Sequence, residues 1–130
     1  TPPPSRVAID AERRALQGDP FVHHKTTRRD VYDIARTAAR DAHPEADDVL
    51  LVNTDGEITE STIANVVVEL DGRLVTPPVA AGLLPGVYRA ELLAHGRIIE
   101  GPLTPDDVRR AGVVYLVNSV RGMWQVAVVG

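Results

Sequence analysis

Cysteine is missing from this 130-residue chain, which excludes a disulfide framework and any thiolate metal site and leaves the protein compatible with reducing surroundings. Aromatic residues are scarce, with one Phe, one Trp and three Tyr, so a core has to be built from Val, Leu, Ile and Ala. Those residues make up most of the 44% hydrophobic fraction. No apolar run approaches the ~20 residues of a membrane-spanning helix, and no segment has the layout of a signal peptide. No membrane association is expected, and the cytoplasm is the expected location. Positive charge is not in excess either. The net charge is −4 and the basic residues are interspersed with acids, so the footprint of a nucleic-acid partner is absent. The adjacent His23 and His24 lack further ligands at metal-binding spacing, and no metal is expected. Lysine is nearly absent: among 14 basic residues there is one, Lys25.

What is present fits one domain, because at this length a globular chain buries roughly two thirds of the surface its unfolded form exposes. Thr1-Pro2-Pro3-Pro4-Ser5 reads as a leader or linker. Residues 1–20 are expected to hold one short strand, Val7-Ala8-Ile9, followed by polar irregular chain from Ala11 to Pro20. From Thr27 to Ala42, the apolar Val31, Ile34, Ala35, Ala38 and Ala39 recur at helical spacing, which predicts an amphipathic helix ended by His43-Pro44. Strands then dominate. Val49 to Asn53 is an apolar run closed by the turn Thr54-Asp55-Gly56, and Asp71-Gly72 joins Asn65–Leu70 to Arg73–Thr76 as a hairpin. Pro85-Gly86 opens a second helix running to about His95, with Gly96 at its end. Arg97 to Glu100 reads as a short strand, and Thr104-Pro105-Asp106-Asp107 as a capped short helix. Val113 to Val117 and Gln125 to Val129 read as buried closing strands. The sum is an α+β domain: a mixed, largely antiparallel sheet or pseudo-barrel with about three helices.

The most informative stretch runs from Glu60 to Arg89. It contains Glu60-Ser61-Thr62-Ile63-Ala64-Asn65, then Leu74-Val75-Thr76-Pro77-Pro78, then Gly82-Leu83-Leu84-Pro85-Gly86-Val87-Tyr88-Arg89. A carboxylate, an asparagine five residues on, a Thr-Pro strand exit and a Pro-Gly turn opening a helix resemble the signature of class IV (fold-type IV) pyridoxal-phosphate enzymes. That group holds branched-chain and D-amino-acid transaminases and 4-amino-4-deoxychorismate lyase. Val67 departs from the pattern, standing where the family usually has an aromatic residue, which bears on packing more than on chemistry. The resemblance covers the chain from Phe21 onward and implies that residues 21–130 are the larger, C-terminal domain of such an enzyme. The family enzyme is about twice this length, so a smaller N-terminal domain is missing from these residues.

The resemblance also implies roles. Lys25, just before the first helix, corresponds to the lysine that holds the cofactor covalently. Such an amine needs a pKa near neutrality, and Arg28 and Arg29 beside it would push it that way. Glu60 corresponds to the carboxylate facing the pyridine nitrogen. Asn65 is read as a scaffold residue whose amide ties the loop together, and Glu57 as a solvated turn residue. Gly86, Val87 and Tyr88 open a helix after proline, and their free amides at the positive end of its dipole would seat the cofactor phosphate. Ser119 aligns with the small hydroxyl residue that gives a second phosphate contact. Arg121, with Asn118, is a candidate for the substrate carboxylate, because guanidinium matches carboxylate in a two-point fork.

Within the family, Ile63-Ala64-Asn65 and Val117-Asn118-Ser119-Val120 lie nearer the aminodeoxychorismate lyases than the branched-chain transaminases. His24 to Tyr32 and Val117 to Gly122 look like lyase domains fused behind aminodeoxychorismate synthase. The implied reaction is elimination of pyruvate from 4-amino-4-deoxychorismate to leave 4-aminobenzoate, with pyridoxal 5'-phosphate as cofactor. A branched-chain or D-amino-acid transaminase is the alternative of the same class, and a non-catalytic domain serving dimerisation is the alternative from another. The expected partners are a small-molecule substrate, the missing N-terminal domain and a second copy in a homodimer.

Overall fold

The central pairings of the sheet join strands whose two faces both carry apolar side chains. In the computed structural model, which describes residues 2–15 and 27–130, seven strands form one sheet in the order β2-β1-β7-β6-β3-β4-β5. They are β1 Arg6–Arg13, β2 Asp48–Val52, β3 Asn65–Leu70, β4 Arg73–Thr76, β5 Ile99–Glu100, β6 Val114–Asn118 and β7 Gly122–Val129. The antiparallel run β4-β3-β6-β7 forms the middle of the sheet. Parallel β1 and β2 extend one edge beyond β7, and β5 lies parallel to β4 at the other. This is the mixed α+β sheet expected, with three helices: α1 Arg28–Ala42, α2 Val87–Ala94 and α3 Pro105–Arg110.

The alternation along each strand separates two cores. Val7, Leu50, Val66, Val68 and Leu116 point to one face, where Leu103 and Val108 of the α3 region complete the largest cluster. Ala8, Val49 and Leu51 point to the other face and receive Val31, Ala35 and Ala39 of α1. Val67 and Val117 on that face receive Leu92 of α2. The short Val67 side chain therefore sits beneath α2, where it fills part of a packed layer.

Helix boundaries follow their caps. Thr27 and Asp30 form a reciprocal capping box at the start of α1, with Asp30 N donating to Thr27 Oγ1 at 3.1 Å and Thr27 N to Asp30 Oδ2 at 3.1 Å. Thr104 and Asp107 repeat the device on α3, which has proline in its first turn. Gly96 adopts φ 69° just past α2, a left-handed conformation in which its amide reaches the carbonyl of Leu93 at 3.0 Å.

Three local expectations need correction, and one short element was not anticipated. Ala11 to Arg13 are strand rather than irregular chain, because β1 pairs there with β2, Arg13 opposite Val52, and Arg14 N reaches Val52 O at 2.8 Å. Ile34 is 56% exposed and Ala38 is also exposed, since the flat contact with the sheet accepts only the narrower stripe Val31, Ala35 and Ala39. The closing strand begins at Gly122, three residues before Gln125, and only Val126 along it is fully buried. Val79–Ala81 forms a short 3₁₀ turn that no sequence pattern announced. The rest of the expected irregular segment, residues 16–20, and the Phe21–Thr26 run containing Lys25, lie outside the described residues.

Candidate functional site

Glu60 is placed by backbone before any side chain acts on it. Its carbonyl accepts from Leu51 N of β2 at 2.8 Å, and it pairs across an isolated bridge with Asn65 at the start of β3. Between them, Ser61 Oγ accepts from the amides of Ile63 and Ala64 at 3.2 and 3.0 Å. The loop is a closed local unit, and it aims the Glu60 side chain toward α1. There Oε2 receives two donors, Arg28 Nη1 at 2.7 Å and the Tyr32 hydroxyl at 2.8 Å. Oε1 receives the amide of Leu84 at 3.2 Å. Residue Glu60 is 4% exposed. Its pKa is raised, with burial the largest cause, and the hydrogen bonds from Tyr32 and Leu84 and the charge of Arg28 offset part of that rise. Tyr32 is pushed up to about 12, chiefly by burial.

The second half of the site is built by Asn65. Its Nδ2 donates to Leu84 O at 2.9 Å and its Oδ1 accepts from Gly86 N at 3.0 Å, so one buried amide binds both flanks of Pro85. Asn65 is thus the scaffold residue its spacing suggested. Gly86 is glycine for a steric reason, since a Cβ there would lie 2.8 Å from Asn65 Oδ1. It caps α2 with no side-chain hydrogen bond, which leaves the helix's first amides directed outward.

A cleft of about 280 Å³ lies between these parts, lined by Tyr32, Glu60, Asn65, Gly86, Asn118 and Ser119 together with the Ser61–Ala64 loop. Glu60, Gly86, Asn118 and Ser119, four of the residues singled out by sequence, therefore share one cavity. The others fall differently. Val87 is 67% exposed at the start of α2, and Tyr88 packs beside Gly122 and in the Val67 layer. Asn118 spends its amide on structure: Oδ1 accepts from Val120 N and Arg121 N, and Nδ2 donates to Ile63 O at 3.2 Å. Arg121 borders a separate, wider cleft with Arg36, Asp48, Ile63, Trp124 and the Pro2–Pro4 leader. Among the described residues no group of three or more His, Asp or Glu is arranged to hold a metal ion, and no helix is long and apolar enough to cross a membrane.

Arg28 and Tyr32 are the functional-site residues that sequence reasoning missed. Arg28 was expected to act on Lys25, which lies outside the described residues; among the described residues its guanidinium reaches Glu60, Tyr32 and the Gly82 carbonyl. The signal was available in their spacing, since positions 28, 32 and 36 form one stripe of α1, and Arg36 donates to Thr62 in the same loop.

Comparison with known proteins decides the family. The amino-transferase class IV family matches residues 1–129. The chain belongs to that family. A Schizosaccharomyces pombe protein provisionally named as an aminodeoxychorismate lyase is 35% identical over 121 residues, covering 91% of this chain and 52% of that protein. A crystal structure from Mesorhizobium loti, provisionally named an amino-acid aminotransferase, is 41% identical and superposes with a TM-score of 0.76 over 95% of this chain and 59% of its own. One from Legionella pneumophila, provisionally named 4-amino-4-deoxychorismate lyase, is 29% identical with a TM-score of 0.79, covering 98% of this chain and 48% of its own. This class IV chain thus spans about half the length of the relatives it matches. The family is one of enzymes, and its members carry both lyase and aminotransferase names.

Proposed function

We propose that this chain is the cofactor-binding part of a pyridoxal-phosphate enzyme that converts 4-amino-4-deoxychorismate to 4-aminobenzoate and pyruvate. The observation carrying the reading is the shared cleft, which joins a buried carboxylate to an uncapped helix start and a serine hydroxyl. That donor set fits the cofactor. Glu60 is an anion suited to a protonated ring nitrogen, and the start of α2 after Gly86, which has no side-chain cap, offers the amides of Val87 and Tyr88 to a phosphate near Ser119. Pyridoxal phosphate, when bound, supplies a ring that takes up electrons as a substrate bond breaks.

In this reading Glu60 holds the ring nitrogen protonated, Lys25 carries the cofactor and moves protons to and from the substrate, and Arg121, on the wider cleft, meets a substrate carboxylate. The Asn118 amide is committed to the turn that carries Arg121. The chemistry of Lys25 requires an amine that reaches neutrality at ordinary pH, and as the sole lysine it is the only side chain of its type available. A smaller N-terminal domain completes the cavity, and the working unit is a cytoplasmic homodimer. Ala64, Asn118 and Ser119 favour the lyase. The 41% identity to the Mesorhizobium loti structure favours a transaminase as the second reading.

The full-length protein supplied with pyridoxal phosphate distinguishes them. Release of pyruvate and 4-aminobenzoate from 4-amino-4-deoxychorismate, with poor transamination of branched-chain amino acids by 2-oxoglutarate, is the expected result. The reverse preference moves the protein to the transaminases, and neither activity with intact cofactor binding refutes both.

A further inference from the structure

Glu60 meets its surroundings unequally at its two oxygens. Oε2 accepts from Arg28 at 2.7 Å and from Tyr32 at 2.8 Å, which uses both of its lone-pair directions. Oε1 accepts only the longer bond from Leu84 N, at 3.2 Å. The donors are themselves linked, because Arg28 Nη1 also donates to the Tyr32 oxygen at 3.4 Å and its Cζ lies 5.9 Å from the Tyr32 ring centre. Arg28 is further anchored through Nη2 to Gly82 O at 3.1 Å. The Arg28 and Glu60 side chains are 11% and 5% exposed, so water does little to screen the pair.

We propose that Arg28 and Tyr32 are positioning residues for Glu60: by saturating Oε2 they keep the carboxylate ionised inside the fold and leave Oε1 as the oxygen that meets a ligand in the cleft. The inference deepens the cofactor reading and rests on it for the identity of that ligand. Its physical basis is independent of the ligand. A desolvated carboxylate tends to take up a proton, and a protonated Glu60 could not oppose a cationic ring nitrogen. Among the described residues, the charged and titratable groups that face Glu60 are Arg28 and Tyr32, both on α1, and the Leu84 amide from the loop before α2 adds a neutral donor. The arrangement also ties Glu60 to the helix that follows Lys25 in sequence, so movement of α1 and of the carboxylate are coupled.

A role confined to holding α1 in place predicts something different. Val31, Ala35 and Ala39 already bury α1 against the sheet, and Tyr32→Phe removes one hydroxyl while keeping the ring. The test follows the Glu60 carboxyl carbon by NMR across pH in the isolated chain, using ¹³C-labelled glutamate assigned with Glu60→Gln. Glu60 should titrate at higher pH in Tyr32→Phe than in the parent, and higher again in Arg28→Gln, with Arg28→Lys restoring most of the shift. Arg28→Gln risks unfolding because it strands a buried carboxylate, and the Tyr32→Phe and Arg28→Lys pair keeps the test decisive in that event. An unmoved Glu60 titration in Tyr32→Phe, in a chain that remains folded, overturns the proposal.

In the full-length protein, the pH below which pyridoxal phosphate affinity falls, read from its absorbance, should move up with the Glu60 titration in Tyr32→Phe. A shifted titration with an unshifted affinity profile overturns the link to the ligand. A shifted titration in a protein that binds no pyridoxal phosphate at any pH supports the positioning of Glu60 and refutes the proposed function instead.

Discussion

Asn65 and Gly86 offer a prediction that needs no ligand. Asn65 is 5% exposed, and its amide makes two hydrogen bonds, to Leu84 O at 2.9 Å and from Gly86 N at 3.0 Å. Truncation to alanine strands both partners, and an unsatisfied buried group costs about 1–3 kcal/mol. Leu84 is 49% exposed, so water recovers part of the loss at its carbonyl, and the expected cost of Asn65→Ala is about 2–3 kcal/mol. That lowers the melting temperature of a domain this size by about 10 °C.

Gly86→Ala tests the same geometry from the other side. Its backbone, at φ −75° and ψ 158°, suits alanine, but the new Cβ would sit 2.8 Å from Asn65 Oδ1. Crowding of that kind costs about 1–3 kcal/mol. In an Asn65→Ala background the obstruction is gone, and alanine should then stabilise by ~0.4–1 kcal/mol through the unfolded chain. The sign of Gly86→Ala therefore reverses between backgrounds. Urea unfolding of the four chains, followed by fluorescence of the sole tryptophan, Trp124, measures the cycle. If the two substitutions add within about 0.5 kcal/mol, the close approach of Gly86 to Asn65 does not govern this loop, and the reasoning fails.

Borohydride treatment of the full-length protein with pyridoxal phosphate should place a pyridoxyl adduct on Lys25, read by peptide mass, and Lys25→Ala should remove the visible absorbance band; an unmodified Lys25 at saturating cofactor refutes its role. Glu60→Gln should weaken cofactor binding by about tenfold, the scale of a charge-assisted contact, while turnover falls further; equal losses would make Glu60 structural only. The pKa of Tyr32 is raised from 10.0 to about 12, so its contribution to stability is complete below pH 10 and is lost as pH rises from about 10 through about 12. Absorbance at alkaline pH should resolve one late-titrating tyrosine of the three, absent in Tyr32→Phe, whereas three coincident titrations near the ordinary value would contradict its burial. Hydrogen bonds from Thr104 hold the Asp107 carboxyl below its ordinary 3.8. The cap it forms on α3 is therefore present above that value and lost as pH falls below it, and the protection of α3 amides, taken against their intrinsic exchange rate at each pH, should fall in acid in the parent but not in Asp107→Ala, which lacks the cap at every pH.

Local elements, and the residues that meet around the Glu60 cleft, were largely legible in the sequence. Asp71-Gly72 fixed a hairpin whose strands, Asn65–Leu70 and Arg73–Thr76, appear at those residues, because a two-residue turn leaves no freedom of register. Thr27 and Thr104 marked helix starts by offering oxygen to amides three residues on, an interaction complete within a few residues of chain. Glu60, Asn65 and Gly86 were legible as a group because their spacing belongs to one loop system.

Tertiary structure decided what depends on partners distant in sequence. β1 extends to Arg13 because β2, remote along the chain, pairs with it there, Arg13 opposite Val52. Ile34 faces solvent because α1 docks through the stripe Val31, Ala35 and Ala39 and position 34 lies off it. Arg121, seven positions from β6's first residue, lies on a different cleft from Ser119 because the turn closed by Asn118 sends the two side chains to separate cavities. Arg28 is the cation of Glu60, 32 residues away, a pairing no local pattern showed, since only the docking of α1 on the sheet brings a desolvated carboxylate within its reach. Local sequence sets hydrogen bonds that close within a turn, while the pairing of buried charges waits for the elements to pack.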